Sequence, residues 1–159
     1  MTNLNEQLIE AIINNGIDEV LELIERGADI EARDNVGRTP LHDACLSGRT
    51  ELVLKLIEKG ADVRARNEWS WTPLHTACFC GNTEIVLMLI EKGADIEARN
   101  KWDETPLHHA CINGKTKTAL MLIEKGADIG ARDNDGRTPL GYASEELKEV
   151  LRKKGIINN

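Results

Sequence analysis

Asn67-Glu-Trp-Ser-Trp-Thr-Pro-Leu-His-Thr-Ala-Cys-Phe-Cys-Gly81 is the stretch on which the reading of the whole chain turns. Half of it is a frame that recurs. All four prolines, Pro40, Pro73, Pro106 and Pro139, lie 33 residues apart, each inside Thr-Pro-Leu. Gly-Ala-Asp starts at Gly27, Gly60, Gly93 and Gly126 with the same spacing. Leu-Ile-Glu-Lys-Gly-Ala-Asp occurs unchanged from Leu56, Leu89 and Leu122. A period this strict identifies a repeat protein.

Each unit has a physical reading. Thr39, Thr72 and Thr105 are placed to cap a short helix, and the proline that follows fits a first turn whose N–H has no partner within the helix. Gly48, Gly81 and Gly114 supply the left-handed residue that stops it. A second helix follows, with Leu52-Val53 and Leu56-Ile57 and their equivalents spaced to form one buried face. It ends near Gly60, Gly93 or Gly126. The residues from there to the next Thr-Pro-Leu are short and rich in turn formers, which suits a hairpin-like connection.

A 33-residue unit carrying Thr-Pro-Leu-His-x-Ala-Cys and Leu-Ile-Glu-Lys-Gly-Ala-Asp resembles the ankyrin repeat. The resemblance implies an all-α repeat solenoid, with stacked helix-turn-helix units and short β-hairpin fingers projecting from them. Three full repeats are expected at residues 34–66, 67–99 and 100–132, between an N-terminal capping repeat at 1–33 and a shortened C-terminal one at 133–159. In the first unit, Leu8, Ile9, Ile12 and Ile13 are expected to face the stack, with Glu6 and Glu10 toward water. In the last, Ser144 is expected to cap the final helix, with Glu145 and Glu146 in its first turn and Lys153 and Lys154 in its last. The third full repeat has Lys117-Thr118-Ala119 where its neighbours have Glu51-Leu52-Val53 and Glu84-Ile85-Val86. A buried Val-to-Ala difference is worth about 1–2 kcal/mol, so this should be the softest junction. Hydrogen exchange is expected to show weaker protection around Thr118 than around Val86; equal protection would contradict it.

Composition narrows the function classes. The net charge of −7 disfavours nucleic acid, whose phosphates need a basic face. No apolar run approaches the ~18 residues of a membrane span, and the N-terminus lacks a basic region followed by an apolar run. A cytoplasmic monomer with reduced cysteines is therefore expected. His42, His75 and His108 each precede a cysteine by three residues (Cys45, Cys78, Cys111), a spacing that zinc could use. Their recurrence with the frame favours a structural role, and the resemblance implies that the Thr-Pro-Leu-His histidine forms structural hydrogen bonds. Stacked helices ~8–10 Å apart also exceed the ~7 Å Cα separation that a disulfide spans. No catalytic set, metal site or cofactor is expected, since no nucleophile motif, phosphate loop or His-Glu-x-x-His is present. Arg33, Arg66, Arg99 and Arg132 form a ladder, for which local ion pairing with nearby acids is expected ahead of an acidic partner.

The other half of the opening stretch is particular to it. Just before each Thr-Pro-Leu the chain reads Asn35-Val-Gly-Arg38, Glu68-Trp-Ser-Trp71, Lys101-Trp-Asp-Glu104 and Asn134-Asp-Gly-Arg137. The resemblance places these residues on the fingers, which with the exposed face of the first helix line a concave surface used for binding protein partners. Phe79, Leu46 and Ile112 fall on that helix face. The expected contact set is Val36, Arg38, Leu46, Trp69, Trp71, Phe79, Trp102, Glu104, His109 and Ile112, with His109 a contact or surface residue outside the frame. Two alternatives stay open. Trp69 and Trp102 would stack between fingers and stiffen the array, or the chain is an engineered or purely structural scaffold without an evolved partner.

Overall fold

The computed structural model describes residues 2–14 and 16–158, so the expected outer bounds of the end units, Met1 and Asn159, lie outside the described residues. Helices pair along the chain as α1 (Leu4–Asn14) with α2 (Ile17–Glu25), α3 (Pro40–Leu46) with α4 (Thr50–Glu58), and α5 (Pro73–Cys80) with α6 (Thr83–Glu91). Then come α7 (Pro106–Ile112) with α8 (Thr116–Glu124), and α9 (Pro139–Tyr142) with α10 (Glu145–Lys153). The first helices pack in a row, α1 to α3 to α5 to α7 to α9, while α4, α6, α8 and α10 form a second row behind them. Small residues allow the close approach: Ala44, Cys45, Ala77, Cys78, Ala110 and Cys111 are all buried in the first row. Leu52, Val53 and Leu56 and their equivalents fill the space between the rows with no exposed surface. Ala119 and Thr118 occupy that layer too, and the Thr118 hydroxyl meets that of Thr83 at 3.1 Å. No helix among the described residues is long and apolar enough to cross a membrane.

The histidines join the repeats. Nδ1 of His42, His75 and His108 accepts the backbone N–H of Thr39 (3.2 Å), Thr72 (3.1 Å) and Thr105 (3.0 Å), closing a capping box at each helix start. The ring proton is therefore on Nε2, which donates to the carbonyl of Trp71 (2.9 Å), Glu104 (3.1 Å) and Arg137 (3.1 Å) in the next repeat. Both nitrogens are occupied within the protein, which leaves no lone pair for a metal.

The expected β-hairpin fingers are tight turns instead, and no strand occurs among the described residues. Residues 34–38, 67–71, 100–104 and 133–137 are each closed by two backbone bonds, as from Asn67 N–H to the Trp71 carbonyl at 3.1 Å and from Ser70 N–H to the Asn67 carbonyl at 2.9 Å. The Asn67 side-chain oxygen also accepts the amides of Trp69 and Trp71. Each finger then meets the next through a single backbone–backbone bond: Glu68 N–H to Val36 O, Lys101 N–H to Trp69 O, and Asn134 N–H to Trp102 O. One bond per junction is too few to make a strand ladder. The fourth finger residue is left-handed, and where Gly37 and Gly136 serve in the outer fingers, Ser70 (φ 60°) and Asp103 (φ 59°) hold that conformation in the central ones.

The arginine ladder departs from the expected ion pairing. Arg33 donates from Nη1 to the carbonyls of Gly37 (2.8 Å) and Arg66 (2.7 Å). Arg66 does the same to Ser70 and Arg99, and Arg99 to Asp103 and Arg132. Each of these three guanidiniums thus fastens its own finger to the next repeat through backbone oxygens, while Arg132 donates to Gly136 O within the last unit. Of the four, Arg99 also pairs with a carboxylate, that of Asp103 at 3.5 Å. The fork of donors suits this role, because one planar group reaches two carbonyls.

At the N-terminal end, Leu8 and Ile12 are buried as expected, but Ile13 is 64% exposed and Ile9 is only half-buried. The repeat period explains the correction: Ile13, Leu46, Phe79 and Ile112 lie 33 residues apart and share one exposed position on the first-row helices. At the other end, Ser144 Oγ accepts Leu147 N–H at 3.2 Å, as expected, and Leu147 and Leu151 seal the core.

Candidate binding surface

Three positions of each repeat meet where the finger joins its helix, and each repeat fills them with different chemistry. In the first full repeat Arg38 Nε lies 2.7 Å from Asp34 Oδ2 and 3.3 Å from Asp43 Oδ1. Burial acts to raise the Asp34 carboxyl, but bonds from the Arg38 side chain and the Arg38 and Val36 amides outweigh it and hold it low. Burial raises Asp43 instead. In the third full repeat Asn100 Nδ2 donates to Glu104 Oε2 at 2.7 Å, and His109 Nε2 reaches the same oxygen at 3.2 Å. The His109 bond is the main cause that holds the Glu104 carboxyl low against burial, with Asn100 adding to it. In the last unit Tyr142 donates to Asp133 Oδ2 at 2.7 Å and accepts from Arg137 at 3.2 Å.

The second full repeat breaks this pattern. Its three positions are Asn67, Trp71 and Thr76, so an indole stands where the neighbours have Arg38 or Glu104. The Trp71 ring lies 5.7 Å from Phe79 and edge-on to His109 at 4.3 Å. Its Nε1 is buried and finds no hydrogen-bond partner among the described residues. His109 in turn packs edge-on to His75 at 5.3 Å.

The structure therefore divides the expected contact set. Leu46 (43% exposed), Trp69 (39%), Phe79 (40%), Trp102 (48%) and Ile112 (43%) are open to solvent. Val36, Arg38, Trp71 and Glu104 are half-buried. His109 is buried, which corrects its expected place at the surface; its helix turns it inward to the Glu104 carboxylate and the Trp71 ring. Its repeat position carries a different residue in each unit, Asp43, Thr76 and Tyr142 in the others. No ring contact joins Trp69 to Trp102 among the described residues, so the two indoles do not form the stack considered as an alternative.

Two hollows lie toward the N-terminal end of the same side. One, of about 750 Å³, lies between α1 and the first finger and includes Ile9, Ile13 and Val36 in its lining. The other, of about 280 Å³, is lined by Ile12, Ile13, Arg38, Asp43, Leu46 and Ser47. Ile9 and Ile13 were absent from the expected set, although the 33-residue phase relating Ile13 to Leu46 and Phe79 carries the signal.

The cysteines offer little reactivity. Burial pushes the Cys111 thiol up to about 12 and raises Cys45 and Cys78 as well. Cys80 is half-buried beside the Leu46 carbonyl, and burial raises its thiol too.

Comparison with known proteins agrees with this architecture. Residues 8–100 match the family model described as ankyrin repeats (3 copies), and residues 89–143 match ankyrin repeats (many copies). Among curated proteins, SMC5-SMC6 complex localization factor protein 1 of Bos taurus is 46% identical over 52 residues, or 31% of this chain. The match spans only 5% of that much longer relative.

Proposed function

Because the chain belongs to the ankyrin-repeat family, whose members are generally protein-interaction modules, we propose that it is a non-catalytic module binding a protein partner through the concave side of its central repeats. The observation that carries this is the apolar display formed by Trp69, Phe79 and Trp102, with Leu46 and Ile112 beside them. The frame does not need it, since the outer fingers use Val36 and Asp135 where the central ones use tryptophan. Covering the open part of one such indole, about 100 Å², is worth about 2–3 kcal/mol gross, in keeping with the enrichment of tryptophan at hot spots. Val36, Arg38 and Glu104 border the display, whereas Trp71 and His109 act from beneath by supporting Phe79 and Glu104. The module works without cofactor or metal, as a cytoplasmic monomer, and takes neither nucleic acid nor membrane as its partner.

The test is affinity capture with the wild type, the Trp69→Ala/Trp71→Ala/Trp102→Ala variant, and a Trp69→Ala/Trp102→Ala variant that spares the half-buried ring. Both variants are expected to lose the specific partner while far-UV circular dichroism stays unchanged. Full retention of affinity would reject the proposed surface. The identical Leu-Ile-Glu-Lys-Gly-Ala-Asp blocks favour a second reading, a structural or engineered scaffold, which absence of any specific partner in the wild-type capture would support.

A further inference from the structure

The finger array has an open edge. From the second finger onward, each second-position amide donates to the finger before it: Glu68 to Val36, Lys101 to Trp69, and Asn134 to Trp102. In the first finger that position is Asn35, and its amide meets no acceptor among the described residues because the first unit places no finger beside it. Asn35 borders the larger hollow, together with Ile9, Ile13 and Val36. The site thus offers an apolar patch beside a directional backbone donor.

The charges around it are unequal in availability. Arg38 is engaged by Asp34 and Asp43, and Arg33 spends Nη1 on two backbone carbonyls. Glu6 and Glu10 lie one turn apart on α1 along the same hollow. Glu6 accepts only the Asn3 amide, at 3.2 Å, and neither carboxylate has a cation within ion-pair distance among the described residues. The lining therefore carries three carboxylates, Glu6, Glu10 and Asp34, against two guanidiniums, Arg33 and Arg38, and its net charge is negative, with Glu6 and Glu10 the carboxylates free to meet an occupant.

We propose that this hollow docks an extended segment of a partner protein in which an apolar residue is flanked by basic ones. The apolar side chain rests on Ile9, Ile13 and Val36, a backbone carbonyl accepts the Asn35 N–H, and the basic side chains face Glu6 and Glu10. The segment takes the place that an earlier finger would occupy, using the main-chain bond that already links finger to finger. This goes beyond the central-repeat reading and shares only Val36 with it, so either proposal can fail alone.

The experiment titrates the full chain with a capped hexapeptide, Gly-Ser-Lys-Leu-Arg-Gly, followed by NMR of backbone amides and isoleucine methyls. Saturable shifts are expected at the Asn35 amide and the Ile9 and Ile13 methyls, with none from Gly-Ser-Glu-Leu-Glu-Gly at equal concentration. The Glu6→Gln/Glu10→Gln variant should weaken binding about three- to tenfold, the range expected for two exposed charge pairs. Ile13→Asp, at a solvent-exposed position where the fold is retained, should abolish it, as should Asn35→Pro, which removes the donor at a turn position that accepts proline. Trp69→Ala/Trp102→Ala should leave peptide binding unchanged while removing the central display. Absence of shifts at Asn35 and Ile13, equal shifts from the acidic peptide, or full binding by Ile13→Asp would overturn the proposal.

Discussion

Acidification from pH 7 to pH 5 is expected to remove about 3–4 kcal/mol of stability, well before most carboxylates titrate. The cause is burial of neutral imidazole. Burial lowers the pKa of His42 to about 4 and that of His75 to about 3, from an ordinary 6.5, and lowers His108 too. The sign follows from proton counting. Between pH 6.5 and these lowered values the unfolded chain binds protons that the folded chain refuses, so stability is full above 6.5 and declines as pH falls. His42 and His75 each contribute about 1.4 kcal/mol per pH unit across that window. The geometry agrees, since Nδ1 accepts the threonine amide and a proton there would face another donor. Asp34 and Glu104, held low, add a further loss in the carboxylate range, while Asp43 and Glu31, raised by burial, oppose it there. Urea unfolding at the two pH values should show the midpoint falling by about 1–2 M at a slope of 2–3 kcal/mol per M. A change below about 1 kcal/mol would mean that the rings tolerate protonation in place.

His75→Ala is the second large effect, with an expected cost of about 3–5 kcal/mol. The ring has no exposed surface, and its loss leaves the Thr72 amide buried without a partner and takes from the Glu104 carbonyl one of its two donors, the Asn100 amide remaining. The orphaned amide costs about 1–3 kcal/mol, and the weakened carbonyl and the vacated volume add to that. The substitution also removes the face on which His109 packs, loosening the support of Trp71. Denaturation at pH 7 measures the cost, and repetition at pH 5 provides an internal check. The variant should lose less on acidification than the wild type by the share of one histidine. A cost under about 1 kcal/mol would contradict the bridging role.

Much of the fold was legible because it is written in residues that recur. Threonine, proline, histidine and glycine mark helix ends through local chemistry, and their spacing is visible without coordinates. The finger–helix junctions were less legible, because Arg38, Trp71, Glu104 and Arg137 occupy one position with four solutions. The inward turn of His109 depends on Glu104 and Asn100, which approach it only through the finger. The arginine ladder is illegible for a different reason: its acceptors are carbonyls, which every residue carries and no sequence distinguishes. Helical spacing alone places Ile13 in the stack, whereas its 33-residue phase with Leu46 and Phe79 puts it outside. The exposed tryptophans were legible as departures from the frame.

Three kinds of bond that cross from one repeat to the next share a property with consequences for how such a chain changes over generations. The histidine, arginine and finger-amide bonds between repeats all end on main-chain oxygens. The receiving repeat is held by atoms that any amino acid supplies, so its outward side chains are not answerable to the joint. Selection can rewrite what a finger displays, or duplicate a whole 33-residue block, without renegotiating the attachment. Trp69 and Trp102 on one pair of fingers, and Val36 and Asp135 on another, show that freedom within a single molecule.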